Sequence, residues 1–582
     1  MAEAVRLVIW DLDETFWSGT LTEGGIRYKR ATHDIVIELA GRGIMSSICS
    51  KNDLDAVREV LVAEKLWDYF IFPSINWEPK GPRVAQIIED VQLRAPTVLL
   101  IDDNPTNLNE ALHFVPELQS ADETIIAALL DDPRLKGEND SRHSRLTQYK
   151  LLERRRKDQN RHGDNREFLR TSGVHVLIET DVEAHIDRAI ELINRTNQLN
   201  FTKRRLPEDL PEARNQLRQE LHEPNTQAGL VRVIDNYGDY GFAGIYLLQV
   251  HTWRLIHYCF SCRTIGLGIE RWLYERLRRP SITIVGSVFA DLSASQPRID
   301  WISAGKAKPE KDSSPMIARV FVRGGCEMQA IAHYFALDAE QLETEFPFDR
   351  GGLSVPIHHS AVLRAAIQGI SETQIEAALT LGYEAIDFRS RALDRTPPFD
   401  LYAYSFWADS HYPLYRDRTT SLCLPFGIHG LNNSTDLRQI DAEALRAKLP
   451  DRSAQKRLEV LRQRFDYLSW TPGIYVTSDE TLFQQNLRII FNACPPKARI
   501  FVLLGCERIF DAAGQPRPLP HLMELNRITR RAAEDLPHVH LLAPDDFISV
   551  PSDVIDATHF DRRVYFRIYQ RIVEICRMTN FD

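Results

Sequence analysis

The chain has 582 residues, 43% of them hydrophobic and 26% charged, with a formal net charge of −10 at pH 7. That length exceeds one core and suits roughly three to four domains of about 100–200 residues, while the composition excludes long disordered tracts. The longest apolar runs, Val98–Ile101 and Phe242–Val250, fall far short of the roughly 20 residues that cross a bilayer, and the acidic balance argues against nucleic acid as the main partner. Without a secretory pattern at the N-terminus, and with eight cysteines too sparse for a disulfide framework, the chain reads as cytoplasmic, with free thiols and no membrane contact.

Residues 1–132 alternate β-rich runs (Val5–Trp10, Ile44–Cys49, Phe70–Ile75, Val98–Ile101) with helical patterns over Asp53–Leu66 and Pro82–Leu93, the signature of an α/β unit with a parallel sheet. Residues 133–167 are highly charged and read as a linker helix, whose Arg154-Arg155-Arg156-Lys157 run is solvated surface, as is Lys203-Arg204-Arg205. Residues 168–303 mix strands with helices as an α+β domain. The stretch Ala304–Pro315 has no apolar periodicity and marks a boundary. Residues 316–582 form a further α/β unit, which begins with a strand over Ile317–Val322 and ends in a helix after Asp556.

The first unit carries acidic residues at its strand ends. Asp11-Leu12-Asp13-Glu14-Thr15 follows the first strand and Asp102-Asp103 follows Val98–Ile101; open parallel sheets bind ligands at that edge. Close carboxylates repel one another and call for a cation, and hard oxygen ligands suit Mg²⁺ held jointly with a phosphate. Asp11, Asp13, Asp102 and Asp103 are the candidate metal residues. Ser50, after another strand, and Lys80, in Asn76-Trp77-Glu78-Pro79-Lys80, supply a hydroxyl and an ammonium for phosphate oxygens.

In that order Asp11/Asp13, Ser50, Lys80 and Asp102/Asp103 resemble the four motifs of the haloacid dehalogenase (HAD) phosphatases. The resemblance implies that Asp11 attacks phosphorus, that Asp13 is general acid and base, and that Ser50 and Lys80 orient the phosphoryl group. Only 38 residues separate Asp11 from Ser50 and 29 separate Ser50 from Lys80, which leaves little room for an inserted cap and implies an open site.

In the second unit, Arg263-Thr264-Ile265-Gly266-Leu267-Gly268 opens a helix, where free N–H groups bind phosphate. This resembles the loop of GNAT-type acyltransferases, which makes Arg263, Gly266 and Gly268 candidate pantetheine-binding residues. Together with Thr196–Phe201, Asp235–Gly241, Ser261–Arg263 and Ile48–Asp53, the pattern resembles the FkbH-like proteins over about residues 5–285. That family pairs a HAD domain with a GNAT-like domain, and many members are implicated in loading a glyceryl unit from 1,3-bisphosphoglycerate onto an acyl carrier protein. One departure is Asn107, where relatives are expected to carry an acidic residue. Acyl capture needs a thiol: Cys49 beside Ser50 is the first candidate in this half and Cys262 the second. Cys259 and Cys262 make a C-x-x-C without a second pair, which argues against zinc.

In the last unit, Cys326 closes the first strand and Asp556-Ala557-Thr558-His559 lies near the C-terminus. That order resembles SGNH hydrolases with cysteine in place of serine. It implies that His559 deprotonates Cys326 and Asp556 orients the imidazole. The later glycine and G-x-N-D blocks are not evident, and Ser405–His411 and Gly430–Asn433 are possible substitutes. His358 and His359 read as loop residues without partners. The expected function is therefore acyl loading with Mg²⁺: a glyceryl unit from 1,3-bisphosphoglycerate or a related acyl phosphate, passed through a cysteine to the phosphopantetheine arm of an acyl carrier protein. A phosphatase of another small metabolite and a non-catalytic binding protein are the alternatives.

Overall fold

The computed structural model describes residues 3–161, 165–293, 297–304, 319–393, 398–428, 436–441, 452–468, 476–477 and 480–578. Most of the boundary stretch after Ala304, and Gly430–Asn433, lie outside the described residues.

The first domain is a parallel sheet in the order β3 (Ser74–Ile75), β2 (Met45–Ser50), β1 (Leu7–Trp10), β4 (Val98–Ile101), β5 (Gln119–Ala121). β1, β2 and β4 are buried along their whole length, as expected where helices cover both faces. Helices α1 (Arg30–Gly41) and α2 (Leu54–Ala63) pack on one face and α3 (Lys80–Val91) and α4 (Pro105–Phe114) on the other. The strand expected over Phe70–Ile75 pairs continuously only at Ser74–Ile75, apart from an isolated bridge at Phe70. Pro73 has no N–H to give a ladder and interrupts it.

Helix α5 (Ser144–Arg161) is more than a linker. Its Leu146 and Tyr149 pack on the first-domain core and Leu152 lies in the core of the next. Within the cationic run Arg154, Arg156 and Lys157 are exposed, as expected of solvated surface, and Arg156 pairs with Asp90 at 3.3 Å; Arg155 alone is buried, where two domains meet on the helix.

The second domain has a six-stranded sheet, β11 (Ile302–Ala304), β6 (Val174–Glu179), β8 (Thr226–Ile234), β9 (Asp239–Gln249), β10 (Arg254–Phe260), β7 (Leu199–Asn200). It is antiparallel except for β11 beside β6. Helices α7 (Ile186–Arg195) and α8 (Leu210–His222), which follow the short α6 (Asn165–Thr171), cover one face. The loop after β10 leads into α9 (Ile269–Arg276).

The third domain has a five-stranded parallel sheet ordered β13 (Gln341–Glu345), β12 (Arg319–Arg323), β14 (Leu401–Ser405), β15 (Arg499–Leu503), β16 (Val539–Leu542). The strand order reverses at β12, so the crevice between the ends of β12 and β14 is where such a sheet receives ligands. Helix α10 (Cys326–Asp338) leaves β12 immediately and also joins the domains, since His333 Nε2 lies 3.0 Å from the Tyr246 hydroxyl. Among the described residues, no helix is long and apolar enough to cross a membrane.

Candidate active sites

β1 ends at Trp10, so Asp11 emerges at the carboxyl edge of the sheet, where its N–H still bonds Ile101 O at 2.9 Å. β4 delivers Asp102 and Asp103 beside it. Oxygens of Asp11, Asp102 and Asp103 lie within 4.8 Å of one another, the one such group of potential metal ligands among the described residues. Lys80, the first residue of α3, reaches between them: Nζ is 2.6 Å from Asp11 Oδ1 and 2.6 Å from Asp102 Oδ2. Burial pushes the Asp11 carboxyl up, with Lys80 opposing and Asp102 reinforcing the shift. Burial, then the Asp102 charge, likewise raises Asp103. Burial would lower Lys80, but the two carboxylates outweigh it and raise the ammonium. Three carboxylates against one ammonium leave a net negative oxygen site, and this donor set fits a small divalent cation such as Mg²⁺.

Neighbouring side chains hold these groups. Asp103 N–H bonds Thr15 Oγ1 at 3.0 Å, and that hydroxyl lies 3.2 Å from Asp103 Oδ1, which explains a threonine four residues after Asp11. Asn107, the departure noted in the sequence, donates Nδ2 to Asp102 Oδ1 at 3.0 Å and so supports the cluster without adding charge. Arg83, missed in the sequence because a lone arginine on a helix gives no signal, is buried beneath the site. Its guanidinium bonds Ser50 O at 2.9 Å, Asn76 O at 3.0 Å, Glu78 O at 3.1 Å and also Ser74 O. It thereby ties the end of β2, which carries the buried Ser50, to the loop that carries Lys80.

Two sequence expectations are corrected. Asp13 lies outside the carboxylate cluster: its Oδ1 accepts from Trp17 Nε1 at 2.7 Å and Leu21 N at 3.2 Å, and its Oδ2 from Asn52 Nδ2 at 3.0 Å. That leaves its side chain beside the site rather than within the carboxylate cluster. Cys49 is fully buried in the core beneath α3 and α4, and burial pushes its thiol up to about 11. It shares a strand face with Met45, two positions apart from Ser47 on either side, and is packing rather than a nucleophile.

The loop after β10 has the backbone that its glycines imply. Gly266 and Gly268 adopt φ of +80° and +77°, and a Cβ at Gly266 would meet open space. Arg263 Nε bonds Ser261 Oγ at 3.1 Å, and the residue lines a cavity shared with residues of the first domain. Burial raises the Cys262 thiol.

In the third domain the chain brings Cys326, Asp556 and His559 together. Cys326 opens α10 at the reversal point of the sheet and is partly exposed. His559 Nδ1 lies 2.9 and 2.8 Å from the two oxygens of Asp556. These bonds, then Cys326 on the other side, raise the imidazole to about 10. Burial opposes ionisation of Asp556, yet His559 and the Thr558 N–H hold it down to about 2. Glu327 is the neighbour that the sequence did not flag. Its carboxyl is buried, raised by that burial, and accepts the Gly325 N–H at 2.9 Å, so this backbone donor is already engaged. In Ser405–His411, Asp409 is spent on Ser360, whose N–H it accepts at 2.9 Å, whereas the buried Trp407 Nε1 has no hydrogen-bond partner among the described residues. His358 and His359 do lie in a turn, but His359 is not without partners. Both are buried, and His359 Nδ1 caps α11 (Ser360–Gln368) through Ala361 N–H and lies 3.3 Å from Asp409.

No protein-family model matches the sequence, and no curated protein matches it. Among solved structures, the chain is similar to the N-terminal part of a Bacteroides fragilis protein containing a phosphatase domain complexed with Mg, at 22% identity over 24% of this chain and 42% of that one, with a TM-score of 0.21. It is also similar to the cobalt-bound deoxy-D-mannose-octulosonate 8-phosphate phosphatase of Haemophilus influenzae, at 16% identity over 22% of this chain and 75% of that one, with a TM-score of 0.18. The chain thus matches less than half the length of the first of these.

Proposed function

We propose that the protein is a Mg²⁺-dependent phosphatase of the HAD type at Asp11, joined to a thiol acyltransferase at Cys326, and that it loads a glyceryl unit onto an acyl carrier protein. The observation that supports the phosphatase most directly is Lys80 Nζ, 2.6 Å from both Asp11 and Asp102 beside Asp103. Asp11 attacks the phosphorus of a phosphate ester, the P–O bond to the alcohol breaks, and Asp13 supplies the proton to the departing oxygen. Asp13 then takes a proton from the water that cleaves the aspartyl phosphate. Lys80 and Ser50 hold the phosphoryl oxygens while charge shifts between them. Bound to Asp11, Asp102 and Asp103, Mg²⁺ would supply the remaining neutralisation of phosphoryl charge.

The acyl half rests on Cys326. His559, oriented by Asp556, takes the thiol proton. The sulfur attacks the acyl carbon of an acyl phosphate, and the C–O bond to phosphate breaks to leave a thioester and inorganic phosphate. A carrier-protein thiol then displaces Cys326 in a second transfer. From 1,3-bisphosphoglycerate this sequence, with hydrolysis of the 3-phosphate at Asp11, gives a glyceryl thioester. A phosphatase of another metabolite is the competing reading, favoured by the engagement of the Gly325 N–H with Glu327, which removes one donor from an oxyanion site.

Intact-protein mass spectrometry with 1,3-bisphosphoglycerate and Mg²⁺ tests the proposal, with and without a pantetheinylated carrier protein. The expected result is an acyl adduct on wild type and Cys49→Ala that is absent from Cys326→Ala and moves to the carrier. No adduct on enzyme or carrier, alongside phosphate release that depends on Asp11, would leave the phosphatase alone.

A further inference from the structure

At the edge of the first sheet opposite Asp11, the first domain, α5 and the second domain line a solvent-open cavity of about 460 Å³. Five arginines line it, Arg6, Arg145, Arg188, Arg195 and Arg263, against three carboxylates, Glu138, Asp140 and Glu191. The carboxylates are largely committed. Glu138 pairs with Arg145 at 2.8 Å and with Arg195 at 2.5 Å, Glu191 with Arg188 at 2.5 Å, and Asp140 accepts the N–H groups of Ser144 and Arg145 at the start of α5. Two arginines are left over. Arg6 makes no side-chain hydrogen bond or ion pair among the described residues, and Arg263 has only the Ser261 hydroxyl, with a buried Nη1 that has no partner.

Arg6 is solvent-exposed, whereas the buried head of Arg263 is costly without a counter-charge. Burial, then repulsion from Arg188, pushes the Arg263 guanidinium down to about 10. Guanidinium groups are the usual partners of phosphate because their planar forks match its oxygens in pairs, and the cavity has the size of a small-molecule site. Arg6 precedes β1 and Asp11 follows it, which separates the two places by roughly 16 Å at about 3.3 Å per residue. An anion held here is therefore not the one attacked by Asp11.

We propose that this interdomain cavity binds a small phosphate-bearing ligand, held by Arg6 and Arg263, at a site separate from the Asp11 centre. Its occupant would join the two domains, since Arg6 belongs to one and Arg263 to the other. The phosphate belongs either to a diffusible metabolite or to a prosthetic arm on a carrier.

Calorimetric titration of the full chain with inorganic pyrophosphate, in the presence of a chelator so that the Asp11 site lacks its metal, tests the inference. Binding is expected in wild type and in Asp11→Asn, and about tenfold or greater weakening in both Arg6→Gln and Arg263→Gln, the loss of a charge-assisted pair. A rise of the wild-type unfolding midpoint with pyrophosphate, lost in the exposed-site variant Arg6→Gln, gives the same answer should Arg263→Gln fold poorly. Displacement of pyrophosphate by 3-phosphoglycerate or by 4′-phosphopantetheine distinguishes the two sources of phosphate. Absence of binding to wild type, or an affinity that survives both arginine substitutions or falls in Asp11→Asn, would overturn the proposal.

Discussion

Lys80 Nζ stands 2.6 Å from an oxygen of Asp11 and 2.6 Å from an oxygen of Asp102, so one ammonium neutralises two strand-end carboxylates that a sequence separation of 91 residues keeps far apart in the chain. Removing it leaves both acids buried and unpaired. Lys80→Met is expected to destabilise the apoprotein by about 3–5 kcal/mol, read by denaturant unfolding. Mg²⁺ should stabilise this variant more than wild type, because the cation then replaces the missing charge. Equal Mg²⁺ stabilisation of the two proteins would contradict this account of the cluster.

Arg83 touches no reacting atom but ties Ser50 to the Lys80 loop through four backbone carbonyls. Arg83→Ala is expected to lower kcat for phosphate-ester hydrolysis by about 100-fold, the effect of a misplacement near 1 Å, with a much smaller change in KM. Arg83→Lys should not restore it, because a single ammonium cannot span these acceptors. Full activity in the lysine variant would show that charge alone is needed.

Thiol accessibility separates the two cysteine readings. Under native conditions iodoacetamide should label Cys326 first and leave Cys49 unmodified until unfolding, as followed by peptide mass spectrometry. His559→Gln should slow the labelling of Cys326 about tenfold or more, by removing the group that takes its proton. Rapid native labelling of Cys49 would reverse the assignment.

Glu270, in the first turn of α9, is buried with one carboxyl oxygen lacking a hydrogen-bond partner among the described residues, and burial raises it from 4.5 to about 7. The folded protein therefore holds this proton more tightly than the unfolded chain. Its contribution to stability is complete below about pH 4.5 and is lost as pH rises through about 7. Glu270→Gln should remove this pH dependence and stabilise the protein at pH 8 relative to wild type, by up to about 3 kcal/mol. Parallel pH–stability curves for the two proteins would contradict the assigned burial effect.

Much of the first domain was legible because its chemistry sits at strand ends. Asp11, Ser50 and Asp102 each follow an apolar run, and a parallel sheet brings such ends to one edge. Asp556-x-x-His559 was legible for a different reason: the three-residue spacing lets a turn place the carboxylate on the imidazole. What the sequence hid depends on contacts distant in the chain. Cys49 adjoins Ser50, but strand alternation turns it into the core. Asp13 lies two residues from Asp11, but Trp17, Leu21 and Asn52 draw its carboxylate aside. Arg155 sits in a charged run that looks solvated and is buried only because two domains meet on α5. Arg6 and Arg263 gave no common signal, since 256 positions separate them.

Phosphate release from an aryl phosphate is the most direct test of the central claim, that Asp11 is the nucleophile of a metal-dependent phosphoryl site. The account predicts turnover by wild type and by Cys326→Ala in Mg²⁺, abolished by a chelator and by Asp11→Asn. Turnover by Asp11→Asn equal to wild type, or turnover undiminished without metal, would contradict it.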